Sequence, residues 1–337
     1  MSLPRIVVLD GATLDPGDNP WTDLAELGEV VVHGHSEPGE VVPRAAAATV
    51  VVTNKAPITA DVFAALPELR FVAVTATGVN VVDLDAARAR GIPVSNVPVY
   101  GTDSVAQHVI GLLLELAIGI GEHAEAVREG EWTRTRDFSF WRRPLVELAG
   151  LTLGVVGFGR IGRRVGELAN AFGMRVIATP PRNGAGHAPD WPGFAWRSTA
   201  EVFRESDVVS LHCALGPNNQ RFVDRELLGT MKRTAWLINT ARGGLVDEAA
   251  LAEALAAGTI AGAGLDVVSV EPMRPDNPLI GAPRCIVTPH NAWATLAARR
   301  RLMETTVENV RAFLAGSPVN VVGGSASPTG SKPHSSG

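Results

Sequence analysis

The feature that most constrains this chain is an apolar segment that runs into a glycine-rich turn at Leu151–Gly162. After the turn, apolar residues recur at three- and four-residue steps, which is the spacing of one face of a helix. Gly173 is placed to end that helix, and a second apolar segment follows at residues 174–178. Strand, turn, helix and strand together predict a βαβ unit with G-x-G-x-x-G at its first turn.

This pattern predicts a binding site for a dinucleotide. The three glycines of the pattern, Gly157, Gly159 and Gly162, permit a tight turn and a close approach of the backbone to a pyrophosphate. The N-terminus of the following helix then offers free N–H groups and the positive end of the helix dipole. The alternative is a glycine turn that only packs a helix on a sheet and binds no ligand.

The composition limits the function classes that need to be considered. The chain has 337 residues, 46% of them hydrophobic and 19% charged, which predicts a folded protein with two domains of ordinary size. The net charge is −5, and no cluster of Lys and Arg indicates nucleic-acid binding. No apolar stretch is long enough to span a bilayer, and the first strand begins at Arg5, so we expect neither a membrane segment nor a signal peptide.

The two cysteines, Cys213 and Cys285, have neither the spacing nor the companions of a metal site. We therefore expect no metal. We interpret both cysteines as reduced, buried thiols of a cytoplasmic protein.

Short apolar segments alternate with helical segments along most of the chain, which predicts parallel sheets covered by helices on both faces, an α/β fold. Two exceptions stand out. A long apolar helix, capped by Asp103 or Ser104, is predicted to reach about Gly121, and residues 122–150 resemble either an extended arm at an interface or a surface loop. An amphipathic helix is predicted over 295–315. Residues 322–337 are of low complexity and are predicted to be a disordered tail.

Three ionisable residues stand at or just beyond the C-terminal ends of predicted strands, where open α/β sheets bind their ligands: Arg242, Glu271 and His290. Taken singly, an Arg, a Glu-Pro pair or a His at such a position is more often structural than catalytic. Together, beside a dinucleotide turn, they provide an acid–base pair and a cation that binds a negatively charged oxygen.

The sequence resembles the D-isomer-specific 2-hydroxyacid dehydrogenases. Within that family it is most similar to the branch of the glycerate dehydrogenases and the hydroxypyruvate or glyoxylate reductases. The resemblance covers roughly residues 5–320 and is carried by six stretches: Thr75–Asn80, Tyr100–His108, Gly157–Gly162, Ile238–Asp247, Gly264–Pro272 and Thr288–Trp293. It implies two Rossmann-like domains with parallel sheets, one flavodoxin-like and one dinucleotide-binding. The nucleotide domain, 103–290, would be inserted into a substrate domain made of 1–102 and 291–321, and the protein would be a homodimer.

The resemblance also implies roles for individual residues. His290 would be the general acid in reduction and the base in oxidation, and Glu271 would hydrogen-bond its ring and favour the protonated form. Arg242 would bind the carboxylate and the carbonyl oxygen of the substrate. The backbone N–H groups of Gly78 and Val79 would bind the other side of that carboxylate. The residues that would bind the cofactor are Gly157, Gly159, Arg160, Ile161, Gly162, Thr179, Arg182, Thr240 and Asp266, the last beside the nicotinamide.

Two positions depart from the usual family pattern. Folds that prefer NAD place an acid at the end of the second strand, but Pro180 occupies that position here, and no acid occurs between Met174 and His187. Thr179 and Arg182 would instead suit a 2′-phosphate, so we expect NADP rather than NAD. The alternative is that Arg182 points to solvent and that the chain accepts both NADP and NAD. The second departure is Ala214, where the family commonly has proline at the wall of the adenosine pocket.

The expected function is therefore reduction of a small 2-keto acid, hydroxypyruvate or glyoxylate, to the D-2-hydroxy acid. Some relatives act instead as dinucleotide-sensing corepressors and keep the same three residues, so a binding protein without turnover is the alternative. Lys55, Phe140 and Trp141 are candidates to line the substrate site, but a solvated lysine and interface aromatics are equally good interpretations. The sequence does not identify the substrate, because one CH2OH group more or less changes only one or two contacts.

Overall fold

The computed structural model describes residues 3–181 and 186–323. The chain divides into two compact units, one made of Met1–Tyr100 with Ala294–Gly337 and the other of Gly101–Trp293. We call them unit 1 and unit 2. The divisions predicted from the sequence, 102/103 and 290/291, lie a few residues away. Arg182 and the tail beyond Gly323 lie outside the described residues.

The strands alternate with helices along most of the chain. The strands of the described residues are β1 Arg5–Val8, β2 Glu29–Val32, β3 Val50–Thr53, β4 Phe71–Val74, β5 Val94–Ser95, β6 Thr152–Val156, β7 Arg175–Ala178, β8 Ala195–Trp196, β9 Val208–Leu211, β10 Trp236–Asn239, β11 Gly262–Leu265, β12 Cys285–Val287 and β13 Val321–Val322. The α-helices are α1 Thr22–Ala25, α2 Val41–Ala45, α3 Ala60–Ala65, α4 Leu84–Ala89, α5 Thr102–Ile118, α6 Ile120–Arg128, α7 Glu131–Arg134, α8 Arg160–Ala171, α9 Thr199–Glu205, α10 Arg225–Gly229, α11 Glu248–Ala256 and α12 Leu296–Leu314.

Unit 1 contains a sheet in the order β13-β5-β4-β3-β1-β2, parallel except for β13. The five parallel strands have the flavodoxin-like order 2-1-3-4-5. Its central strands are buried on both faces, because helices cover both sides of a parallel sheet. Val322, which the sequence analysis assigned to the tail, pairs with Val94 and belongs to this sheet.

Unit 2 contains a parallel sheet in the order β12-β11-β10-β9-β6-β7-β8. This is the Rossmann order, with β6 as the first strand, and the order in which the strands are added reverses between β6 and β9. Two apolar clusters cover its faces, one including Leu251 of α11 and the other Leu113 of α5. The predicted α/β fold of two Rossmann-like units with parallel sheets is confirmed.

The segment after Tyr100 differs from the prediction. The long helix α5 begins at Thr102 with Gly101 as its N-cap, so neither Asp103 nor Ser104 caps it. It ends at Ile118 because Gly119 adopts the left-handed conformation, with φ +57°. Helices α6 and α7 then occupy part of the segment interpreted as an arm or loop. Within the described residues no single helix is long and apolar enough to cross a membrane. Helices α5 and α6 taken together, with a bend of 58° between them, reach that length and composition.

Candidate active site

The glycine turn of unit 2 joins β6 to α8. Gly157 has φ +96°, and a Cβ at this position would lie 2.5 Å from the backbone nitrogen of Cys213. A Cβ at Gly162 would lie 2.3 Å from the carbonyl oxygen of Gly157. Both glycines are therefore required by the packing of the chain itself. Gly159 is different, because a Cβ there would meet no atom of the described residues within 4 Å.

The open space at Gly159 lies at the N-terminus of α8. Gly159 is the N-cap of this helix and provides no side-chain cap, and the first turn contains no acidic residue. The first N–H groups of a helix have no partner within it and attract negative charge. Arg160 is exposed and Ile161 is half-buried at the same end. This surrounding fits the pyrophosphate of a dinucleotide.

A second observation in unit 2 also fits a bound group. Thr240 follows β10, and its Oγ1 is buried without a hydrogen-bond partner among the described residues. A buried hydroxyl that lacks a partner costs free energy, so such groups commonly face a ligand or water. Thr240 therefore fits the cofactor-binding role that the resemblance implied.

Thr179 stands directly after β7, and its Oγ1 accepts a hydrogen bond from the backbone N–H of Gly157 at 3.0 Å. This contact fixes the hydroxyl oxygen beside the glycine turn, and a hydroxyl that accepts one hydrogen bond can still donate its own hydrogen. Pro180 follows and is exposed. Ala214 is also exposed, and its carbonyl oxygen accepts a hydrogen bond from Nδ2 of Asn219 at 2.8 Å.

The loop after β10 carries Arg242. The buried Asn239 fixes this loop, because its Nδ2 donates to the carbonyl oxygen of Arg242 at 2.9 Å and its Oδ1 accepts from the N–H of Ala241 at 3.0 Å. Gly243 lies against the backbone of Val268, so close that a Cβ would stand 1.9 Å from the Val268 carbonyl carbon. Arg242 is exposed, and its Nη1 donates to the carbonyl oxygen of Ala241 at 2.6 Å. A guanidinium has five N–H donors, so others are left to bind an anion.

Glu271 and His290 form a hydrogen-bonded pair. The ring Nδ1 of His290 lies 2.7 Å from Oε2 of Glu271, and each side chain is 31% exposed. Oε1 of Glu271 accepts a hydrogen bond from the N–H of Val268 at 3.3 Å. Because a carboxylate only accepts, Nδ1 carries the hydrogen, and Nε2 is the ring nitrogen left for proton exchange.

Asp266 anchors the loop on which His290 stands. The carboxylate is buried, and its Oδ1 accepts hydrogen bonds from Oγ1 of Thr288 at 2.6 Å and from the N–H of Asn291 at 3.0 Å. Its Oδ2 accepts from the N–H of Ala292 at 2.9 Å. These contacts engage both oxygens of Asp266 with the loop around His290. Its place beside the nicotinamide stays a prediction.

Gly78 and Val79 belong to unit 1, in the loop that follows β4. Thr77 holds this loop, since its Oγ1 donates to the carbonyl oxygen of Val97 at 2.8 Å and its own carbonyl oxygen accepts from Nδ2 of Asn96 at 2.7 Å. Both Gly78 and Val79 are half-buried. Their predicted role in binding the substrate stays a prediction.

Residues 110–292 match the sequence profile of the family described as D-isomer specific 2-hydroxyacid dehydrogenase, NAD binding domain. The chain belongs to the D-isomer-specific 2-hydroxyacid dehydrogenases. It is an NAD(P)-dependent oxidoreductase that acts on a CH–OH group.

Similar members of the family carry the names of the branch that the sequence resembles. The chain is 45% identical to a hydroxypyruvate reductase of Blautia hydrogenotrophica, over 94% of this chain and 99% of that protein. It is 43% identical to a glycerate dehydrogenase of Methylorubrum extorquens, over 94% of this chain and 98% of that protein. An NADPH-dependent glyoxylate/hydroxypyruvate reductase of Sinorhizobium meliloti, solved with NADP and malonate, is 31% identical with a TM-score of 0.79, and the match covers 96% of this chain and 97% of that one.

Several residues of this dehydrogenase site were missed by sequence reasoning. Asn239, Thr288 and His108 all lie in stretches that carry the family resemblance, yet nothing in their spacing indicated what they contact. His212 was likewise given no role. Its Nε2 lies 2.8 Å from Oγ of Ser210, and desolvation lowers the pKa of the half-buried ring to about 4, so it is neutral at pH 7.

The remaining candidates have simpler surroundings. Neither Cys213 nor Cys285 forms a disulfide, which agrees with the predicted reduced state, but both residues are half-buried rather than buried. Burial raises the pKa of the Cys285 thiol to about 11. Lys55 is exposed. Trp141 is 63% exposed, and the ring of Phe140 lies 6.2 Å from that of His123.

Proposed function

We propose that this dehydrogenase reduces a small 2-keto acid, hydroxypyruvate or glyoxylate, to the D-2-hydroxy acid. The observation that carries the proposal is the 2.7 Å hydrogen bond between Nδ1 of His290 and Oε2 of Glu271. It orients a proton-exchanging ring on a loop of the same unit that carries the exposed Arg242. The named relatives, a hydroxypyruvate reductase and a glycerate dehydrogenase, support the choice of substrate.

The proposed roles follow from the charge that develops during reduction. The nicotinamide, when bound, supplies the hydride. Arg242 binds the carboxylate of the keto acid and stabilises the negative charge that develops on the carbonyl oxygen. His290 donates the proton at Nε2 to that oxygen, and the carboxylate of Glu271 stabilises the imidazolium before the transfer. Oxidation of the hydroxy acid uses the same groups in the opposite direction.

The cofactor site is formed by the glycine turn, Thr179 and Thr240. We propose NADP as the preferred cofactor, because Pro180 stands where folds that prefer NAD carry an acid. The hydroxyl of Thr179, held beside Gly157, is proposed to donate to the 2′-phosphate. Arg182 is its proposed partner on the basis of the sequence alone.

The first experiment follows absorbance at 340 nm with hydroxypyruvate, in parallel with NADPH and NADH. Faster oxidation of NADPH would support both the reductase and the cofactor assignment. Faster oxidation of NADH would keep the function and contradict the cofactor assignment. Binding of NADPH without turnover of hydroxypyruvate, glyoxylate or pyruvate would contradict the reductase and favour the dinucleotide-sensing binding protein.

A charge placed at Pro180 tests the cofactor assignment more directly. We expect Pro180→Asp to shift the ratio of kcat/KM for NADPH over NADH towards NADH by about tenfold or more, because a carboxylate repels the 2′-phosphate and accepts from a 2′-hydroxyl. Pro180→Asn is the matched neutral control. An equal shift in both variants would show that the charge is not responsible.

We also propose a homodimer, formed through an apolar surface of unit 2. Its exposed members are Ile120, Val127, Trp132, Phe138, Trp141 and Leu145, with Phe138 90% exposed. Exposed apolar residues grouped in this way are typical of protein interfaces. Light scattering after size exclusion should give twice the chain mass for the wild type and a lower mass for Phe138→Glu. A monomeric wild type would contradict the proposal. The cytoplasmic location stays a prediction.

A further inference from the structure

A line of hydrogen bonds begins at His108 on α5. Nε2 of His108 lies 3.0 Å from Oγ1 of Thr288, and Oγ1 of Thr288 lies 2.6 Å from Oδ1 of Asp266. The distance from Nε2 of His108 to Oδ1 of Asp266 is 3.5 Å. The His108 side chain is 23% exposed and the Asp266 side chain 1%. The three side chains thus connect a core helix with the buried anchor of the His290 loop.

The chemistry of the three groups fixes the direction of the line. An ionised carboxylate only accepts, so the hydroxyl hydrogen of Thr288 points to Asp266 at the shorter distance. A lone pair of the same hydroxyl oxygen then accepts from His108, which must carry its hydrogen on Nε2. The single hydrogen of this hydroxyl has a second possible acceptor, the carbonyl oxygen of Leu265, which lies 3.5 Å from Oγ1. By occupying a lone pair of the hydroxyl oxygen, His108 therefore determines how the Thr288 hydroxyl is oriented.

The carboxylate of Asp266 joins this line to the backbone on both sides of His290. It binds Thr288, two residues before His290, and the N–H groups of Asn291 and Ala292 directly after it. His290 itself has φ +52°, a conformation that residues other than glycine adopt at a cost. Such a backbone conformation persists only where surrounding contacts hold it. The Asp266 contacts supply that constraint, and the orientation of the ring towards Glu271 depends on it.

We propose that His108 and Thr288 are positioning residues for His290. They act through Asp266, which fixes the backbone of the His290 loop and thereby the ring towards Glu271. The proposal rests on the proposed function in that it takes His290 as the proton-exchanging group. Neither residue needs to touch substrate or cofactor for this role.

Two pairs of variants test the proposal in steady-state assays. Thr288→Val and His108→Leu remove the hydrogen bonds and keep the approximate size, whereas Thr288→Ser and His108→Gln keep a hydroxyl and an N–H donor. We expect the first pair to lower kcat about tenfold or more, because small displacements of a reacting group reduce the rate strongly, with KM for the keto acid within about twofold. The second pair should return kcat to within about threefold of the wild type.

The control for a general loss of stability is Thr306→Val in unit 1. Thr306 is buried and its Oγ1 donates to the carbonyl oxygen of Leu302 at 2.8 Å. This variant removes a comparable hydroxyl and should lower the melting temperature without lowering kcat. Unchanged kcat in both Thr288→Val and His108→Leu would overturn the proposal. So would Ser and Gln variants as slow as the Val and Leu ones.

A measurement that does not depend on turnover keeps the inference separate from the proposed function. In the wild type with NADPH bound, NMR should show a low-field Nδ1–H signal of His290, assigned by its loss in His290→Gln. We expect the signal to shift or broaden in His108→Leu and Thr288→Val and to persist in His108→Gln and Thr288→Ser. An unchanged signal in His108→Leu would overturn the inference, whatever the kcat. A wild type without keto-acid turnover would refute the proposed function, and the NMR comparison would still decide this inference.

Discussion

The first turn after the first strand differs between the two units, although both sheets have the doubly wound order. In unit 1, β1 leads to Gly11, and a Cβ there would lie 2.8 Å from Cγ1 of Val32 and 3.2 Å from Nε1 of Trp21. In unit 2, β6 leads to Gly159, where a Cβ would meet no described atom within 4 Å. Side chains of unit 1 thus fill its turn, and unit 2 leaves its turn open at the start of a 12-residue helix.

This difference shows that the topology alone does not create a ligand site. The sheet order places a turn at the same edge in both units. Whether the backbone N–H groups of that turn are available to a phosphate depends on which side chains cover it. In unit 1 the place is taken by the buried Trp21.

Each unit also has a buried aspartate that accepts hydrogen bonds from the N–H groups of a loop, and the aspartate of unit 2 makes one contact more. In unit 1 the buried Asp10 accepts hydrogen bonds from the N–H groups of Asn54 at 2.8 Å and Ala56 at 2.9 Å, and also from that of Lys55. In unit 2 the buried Asp266 binds backbone N–H groups in the same way and in addition the hydroxyl of Thr288. Among the described residues Asp10 thus holds its loop through backbone N–H groups, whereas Asp266 is joined through the Thr288 hydroxyl to the ring of His108.

Each unit also has a hydrogen-bonded His–Glu pair. Nε2 of His35 lies 3.0 Å from Oε1 of Glu37, and these side chains are 76% and 70% exposed. The pair of His290 and Glu271 is 31% exposed on each side. The same two residue types thus form a solvated surface pair in unit 1 and a constrained pair in unit 2.

The largest effect is expected from the two histidines. His290→Gln should lower kcat by about 10²- to 10⁴-fold, because the amide cannot exchange a proton, while the Kd of NADPH stays within about threefold. The matched variant His35→Gln should leave kcat within about twofold of the wild type. Assays at 340 nm and fluorescence titration with NADPH measure both. A fully active His290→Gln enzyme would remove the distinction between the two pairs.

The two buried aspartates give the next comparison. Asp266→Asn should lower kcat by about 10- to 100-fold, because the amide NH2 opposes one of the donors that hold the His290 loop. Asp10→Asn should cost about 1–3 kcal/mol in the free energy of unfolding of unit 1 and change kcat by less than about threefold. Urea denaturation and steady-state kinetics on both variants separate the two effects. Equal losses of kcat would mean that the loop of unit 1 is as important for turnover as that of unit 2.

The two turns predict a smaller effect. Gly159→Ala should raise the Kd of NADPH about tenfold, because its methyl group occupies the space into which the pyrophosphate would fit, at a stability cost of about 1 kcal/mol or less. Gly11→Ala should cost about 1–3 kcal/mol, because the methyl group overlaps with Val32, and leave that Kd unchanged. Calorimetric titration and thermal unfolding report the two quantities. Unchanged NADPH binding by Gly159→Ala would show that the open turn is not the pyrophosphate site.

The smallest expected effect concerns histidines that follow strands. Desolvation lowers the pKa of His212 in unit 2 from 6.5 to about 4. The unfolded chain therefore binds this proton more readily, and stability falls as the pH drops through 6.5 towards 4. Between pH 7 and 5.5 the wild type should lose about 1 kcal/mol more than His212→Gln. His33 in unit 1 also has a lowered pKa from desolvation and Arg44, opposed by Glu40, so His33→Gln should differ less. Urea denaturation at both pH values measures this, and equal pH dependence in wild type and His212→Gln would contradict it.

The sequence by itself determined the α/β class, the glycine turn and the candidates Arg242, Glu271 and His290. Each depends on a local pattern: the alternation of strands and helices, the spacing of Gly157, Gly159 and Gly162, or a polar residue after an apolar strand. Such patterns are visible because neighbouring residues share the same element. The caps of α3 and α11 are equally local, because Thr59 and Asp247 each accept a hydrogen bond from an N–H group three residues further along the chain.

The tertiary structure decided which of these positions are free to bind and what holds them. Gly11 is covered because Val32 and Trp21 lie against it, whereas a Cβ at Gly159 would meet no described atom within 4 Å. Asp266 holds the His290 loop through donors more than 20 residues away in sequence. The contact of His108 with Thr288 spans 180 residues, and the pairing of Val322 with Val94 joins the two ends of unit 1. No local pattern encodes such contacts, because they form only when the folded sheets bring distant segments together.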